Sequence, residues 1–121
     1  MKVKLLQIVN SVEALNKLSA QPMKAVTSFE VAKNLKNISE ELAIYEQSRG
    51  DLIRKFGKED KDGQIGIEPN TKEMENFQKE LGDLLNIEVD LNGFKQIKLK
   101  HLSKCELTPQ EISSLEFAIQ E

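Results

Sequence analysis

The stretch PMKAVTSFEVAKNLKNISEELAIYEQSRGDLIRKF, residues 22–56, decides how the rest of the chain is read. Within it Leu35, Ile38, Leu42, Tyr45, Arg49, Leu52 and Phe56 recur at alternating steps of three and four. That spacing lines one face of a single helix and has the form of a heptad seam. Val26, Phe29 and Ala32 extend an apolar face toward the start. About 35 residues rising ~1.5 Å each make a rod of about 50 Å. A compact chain of 121 residues has a radius of gyration of only about 14 Å. The rod must therefore project, be covered by other elements, or pair with a second copy. The seam Leu35, Ile38, Leu42, Tyr45, Leu52 and Phe56 predicts a homo-oligomer, a dimer through that face; cover by flanking helices of the same chain is the alternative. Arg49 is the one charge on the seam: its stem packs while its head reaches water, or its head meets an anion or a partner. Gly50 marks a bend or a close backbone approach, and Gly57 is placed for a left-handed helix cap.

Upstream, Ile8, Val12, Leu15 and Leu18 predict a helix over about 7–19. Ser19-Ala20-Gln21-Pro22 breaks it, and Pro22 suits the first turn of the next helix, taken as 22–56. Two amphipathic helices joined by so short a break form an antiparallel hairpin. Val3 and Leu5, alternating with Lys2 and Lys4, read as a short strand or as the start of the first helix.

Downstream, Asp60, Asp62 and Gly63 resemble part of a calcium loop. With Gly63 at the sharp turn, however, Lys58 takes the place of the first anionic ligand and Pro69 that of the bidentate glutamate. An Asp-Gly turn with Ile65 and Ile67 on a short strand is the better reading. Asn70, with Glu73 three residues on, caps a third helix over 71–86 whose face is Met74, Phe77, Leu81 and Leu84. Ile87, Val89 and Leu91, then Asn92-Gly93, then Ile97 and Leu99 predict an antiparallel β-hairpin over 87–100. Such a hairpin is marginal alone. It must lie on helices or pair with Ile65–Ile67 or with Val3–Leu5. Thr108, Pro109 and Glu111, with Leu107 and Ile112 as a staple, open a last helix over 109–120. The fold class is α+β, mostly α: one domain, residues 1–121, with a long central helix in a helical hairpin, two further helices over it and a small antiparallel hairpin.

Hydrophobic residues make up 39% of the chain and charged residues 31%, with a net charge of −3, which gives no general attraction to nucleic acid or anionic lipid. No apolar run approaches the ~18 residues that span a bilayer, and the start lacks the form of a signal peptide. A single cysteine, Cys105, precludes an internal disulfide and suits a reducing cytoplasm. His101 and Cys105 have no third group at recognisable spacing for catalysis or for zinc. There is no glycine-rich phosphate loop. No enzyme activity, cofactor or metal is expected. One basic cluster interrupts an acidic half: Lys95, Lys98, Lys100, His101 and Lys104. It reads as cross-strand pairing with Glu88 and Asp90 on a wet surface, or as a site for a phosphate-bearing ligand or an acidic protein patch.

The runs Ala32–Lys36, Leu42–Gln47 with Arg49, Leu52–Gly57 and Asp60–Gly63 resemble a family of small proteins encoded by tailed phages of Gram-positive bacteria. The later Ile87–Leu91 and Leu107–Ile112 share that resemblance. Its motifs are structural, and no functional residue is carried over. The resemblance implies a phage origin and expression in the cytoplasm of an infected host cell. Small size, a long seam and a basic cluster then point to a non-catalytic accessory protein that acts by binding. Its target would be a host protein such as an antiviral-defence component, or a small anionic nucleotide signal that it sequesters. The alternative is a role in virion assembly or as a minor structural protein.

Overall fold

In the computed structural model, which describes residues 1–121, the long helix is α2, Ala25–Phe56, unbroken through Gly50. Its 32 residues span about 48 Å. It begins later than residue 22, because Lys24 is extended (φ −61°, ψ 146°) and serves as its N-cap. Helix α1, Leu5–Ser19, starts slightly earlier than the periodicity predicts. The Lys4 N–H donates to Gln7 Oε1 (2.9 Å) there. Leu5, Ile8, Ala14, Leu15 and Leu18 of α1 are buried, and the helix lies on the first half of α2. Helix α3, Lys72–Leu85, lies on the second half, where Lys55 Nζ reaches Glu80 Oε1 (3.3 Å).

The α+β, mostly α architecture therefore stands, and the chain covers part of its own seam. Ile38 and Tyr45 are buried and Leu35, Leu42, Leu52 and Phe56 are half-buried within one copy. Ile38 and Tyr45 are therefore closed within one copy, while Leu52 and Phe56 keep part of their surface open. The early extension of the face is also corrected. Val26 and Phe29 are 74% and 65% exposed, and the buried line there is Thr27, Val31, Asn34 and Ile38. Past Tyr45 no side chain of α2 is fully buried, and none of α3 is. Full burial is concentrated where β1, α1 and the first half of α2 meet residues 91–118.

The strands follow expectation in part: the 87–91 segment pairs with the Val3 strand and a short strand forms at Ile65, but no hairpin forms over 87–100. Strand β4, Glu88–Asp90, pairs antiparallel with β1, Lys2–Lys4, with Val3 opposite Val89. Strand β5, Ile97–Lys98, pairs parallel with β6, Ile119–Gln120. The turn at Asn92-Gly93 does form, with Gly93 at φ +78°, where a side chain would be strained. Leu91, Phe94 and Ile97, however, all go into the core. That three-residue period is not that of a strand, so the chain after the turn cannot return alongside β4. The hairpin that does form joins β2, Lys58–Glu59, to β3, Ile65–Gly66. Its turn is closed by Asp60 Oδ1, which accepts the N–H groups of Asp62 (2.9 Å) and Gln64 (3.0 Å).

Two caps and the length of the last helix are also revised. Gly57 is not left-handed (φ −92°); a Cβ there would stand 2.7 Å from Ile65 Cγ2, so the glycine admits β3 beside the helix end. Thr71, rather than Asn70, caps α3: its Oγ1 accepts the Met74 N–H, and Asn70 takes φ +61°. Helix α4, Pro109–Ser114, opens with the expected reciprocal cap between Thr108 and Glu111 but stops well short of residue 120. A turn at Glu116–Ala118 then sets Phe117 against Phe94 (centroids 5.9 Å) and hands the chain to β6. No helix is long and apolar enough to cross a membrane.

Candidate functional site

The six predicted site residues do not form one patch. Arg49 is exposed on α2, 25 positions beyond Lys24, or about 37 Å along the helix axis. Lys98 is exposed on β5, outside both clefts described below. Lys100, His101 and Lys104 come together on one cleft of about 550 Å³. Lys24 and Thr27, from the start of α2, complete its wall. Lys95 lines a neighbouring cleft of about 390 Å³ with Val26, Phe29 and Lys33.

Two side-chain amides position this basic segment. Gln21, in the connection between α1 and α2, donates from Nε2 to the Glu106 carbonyl (3.0 Å) and accepts the Glu106 N–H at Oε1 (2.7 Å). Asn34, one of the few buried polar residues, holds Lys95 in the same way. Asn37 adds a bond from Nδ2 to the Asn92 carbonyl (2.8 Å). The run from Lys95 to Glu106 is thus fastened at both ends to α2 or the loop that enters it. Its lysines are carried on a fixed frame, with the turn Leu99–Leu102 between the clamps.

The electrostatics favour an anion. Helix α2 has no side-chain cap and no acidic residue in its first turn. The earliest intrahelical bond runs from the Ser28 N–H to the Lys24 carbonyl, so the N–H groups of Ala25, Val26 and Thr27 point out of the helix without a helical acceptor. The positive end of the macrodipole and the Lys24 ammonium act in the same direction. Thr27 is 6% exposed and lines the basic cleft, and its hydroxyl enters no hydrogen bond of the chain. No wholly buried side-chain polar atom lacks a partner, so that hydroxyl opens on the cleft.

His101 and Cys105 both line this cleft, His101 exposed and Cys105 half-buried, with no hydrogen bond between them. No cluster of three His, Cys, Asp or Glu side chains is placed to hold a metal ion. Sequence reasoning missed Lys24, Thr27 and Lys33. It also missed the amides Gln21 and Asn34, whose role depends on contacts 61 to 85 positions away. It placed Phe29 on the covered face. The one available signal was Lys24 directly before a helix whose first turn carries no acid.

No protein-family model, no curated protein and no solved structure matches this chain.

Proposed function

We propose that the protein acts by binding rather than by catalysis, and that it captures a small phosphate-bearing anion in the cleft formed by Lys24, Thr27, Lys100, His101 and Lys104. One observation carries the reading. In a chain of net charge −3, Lys100 and Lys104, on a segment clamped at both ends, are gathered with Lys24 at the amino end of the longest helix, which no side chain caps. Lysines carried on a clamped backbone beside free helix N–H donors bind a phosphate oxyanion more tightly than lysines on a mobile loop do, because less ordering is needed on binding. The phage resemblance gives this activity a setting: an accessory protein in the cytoplasm of an infected host, acting against host defence by withdrawing an anionic signal or by holding an acidic partner protein. The binding unit in this reading is the single chain, because one copy supplies every residue of the cleft; light scattering should then return 13.7 kDa.

Calorimetric titration with tripolyphosphate tests the proposal. Binding should weaken at least tenfold in Lys100→Glu/Lys104→Glu and fall further as salt rises. Absence of binding by the unaltered chain would refute it.

A second reading, virion assembly, draws on the α2–α3 arm beyond Tyr45, which has no fully buried side chain and offers a long half-covered apolar stripe. Detection of the protein in purified particles, together with no anion binding, would favour it.

A further inference from the structure

Phe29 is 65% exposed and Val26 74% exposed on a rigid helix whose buried face lies on its other side. Exposed apolar groups rimmed by charge are a mark of binding surfaces. Lys33 stands over the Phe29 ring, with Nζ 5.6 Å from its centroid. Lys95 faces the same cleft on a backbone fixed by Asn34. Ala25 and Val26 belong to this cleft, while Lys24 and Thr27 belong to the basic one. The two clefts therefore both border the first turn of α2, where the free N–H groups and the unpartnered Thr27 hydroxyl lie.

We propose that the phosphate-bearing ligand is a nucleotide. Its base lies on Phe29 and Val26, and its phosphate chain runs across the amino end of α2 toward Lys24, Lys100 and Lys104. The inference rests on the anion-binding reading above and adds the part of the ligand that reading leaves open. An aromatic face accepts any base, because every base has a π-face. Lys33 and Lys95 would flank the first phosphate. Glu30, the one acidic residue on this cleft, would accept hydrogen bonds from ribose hydroxyls or an exocyclic amine. No bond to the ligand is made or broken; the site holds it.

The test compares ATP with tripolyphosphate, by calorimetry on the full chain, in the unaltered protein, Phe29→Ala and Lys100→Glu/Lys104→Glu. Phe29 is exposed, so its removal leaves the core intact, and circular dichroism checks that the fold is retained. ATP should bind about tenfold more tightly than tripolyphosphate, the scale of one base stacked on an aromatic ring. Phe29→Ala should erase that margin and leave tripolyphosphate unchanged, while the double lysine variant should weaken both ligands. Equal affinity for ATP and tripolyphosphate, or no effect of Phe29→Ala on ATP, overturns the nucleotide assignment while the anion reading stands. If neither ligand binds, both proposals fall together.

Discussion

The side-chain amide of Asn34 engages both backbone polar groups of Lys95, donating from Nδ2 to its carbonyl (2.6 Å) and accepting its N–H at Oδ1 (3.1 Å), across 61 positions of sequence. A helix residue facing the core would ordinarily be apolar. Here it mimics a strand neighbour and pins a loop that carries a lysine to the helix that carries Phe29. Gln21 repeats the device at Glu106.

Asn34→Ala should destabilise the fold by about 1–3 kcal/mol, because two backbone groups lose their partner beside a 3%-exposed position. Urea denaturation measures the loss. Amide exchange at Lys95 should accelerate in the same variant, and a Lys95 amide that stays protected would contradict the clamp.

Gly50 and Gly57 should respond in opposite directions to alanine. At Gly50 a Cβ meets only the flexible end of Arg54, at 3.5 Å, so Gly50→Ala should raise stability by about 0.5–1 kcal/mol through helix propensity. At Gly57 a Cβ would be 2.7 Å from Ile65 Cγ2 and would also crowd the Ile53 carbonyl, so Gly57→Ala should cost about 1–3 kcal/mol. Thermal melts of the two variants decide it.

The Lys17–Glu111 pair should give the fold an acid-sensitive limb. The Lys17 ammonium at 2.8 Å, and then the Thr108 N–H, hold the Glu111 carboxyl below its usual 4.5. A carboxyl that is more acidic when folded contributes its stability above the unfolded value and loses it as pH falls through the folded one. The contribution is thus complete near neutrality and fades below about pH 4.5. Glu111→Gln should lower the urea midpoint at neutral pH and narrow the gap between neutral and acid midpoints. An unchanged gap would rule the pair out as its source.

Ile38 and Ile44 separate the inner face of α2 from its outer one. Ile38 is fully buried, and Ile38→Ala should cost about 2–4 kcal/mol. Ile44 is 62% exposed, and Ile44→Ala should stay within about 0.5 kcal/mol. Comparable losses at both positions would mean that a second surface covers Ile44 in solution.

The residues alone carried the local signals. The three- and four-residue spacing through Leu35–Phe56, the break at Ser19–Pro22 and the Thr108-Pro109-Glu111 start each act within a turn or two of helix, so their reading needs no knowledge of distant partners. The face of α2 was misread at Val26 and Phe29 because two of its buried positions, Thr27 and Asn34, are polar. Hydrophobic periodicity cannot see a buried amide whose partner is far along the chain. The 87–100 hairpin failed for a related reason. Asn92-Gly93 makes its turn on local grounds, but the core claims Phe94 and Ile97, and the strand edges find partners at the two chain termini.

The sequence by itself determined a long amphipathic helix with helical cover, a basic run over residues 95–104 and the capped start of the last helix, because propensity, capping and periodicity are short-range effects. The tertiary structure alone decided that the seam is filled from within at Ile38 and Tyr45 and left half-covered at Leu52 and Phe56. It alone decided that Lys100, His101 and Lys104 meet Lys24 at a helix end, and that Phe29 stays in water beside Lys95. Those outcomes depend on which distant groups compete for the same buried volume and the same hydrogen bonds, and that competition is settled only when the whole chain packs.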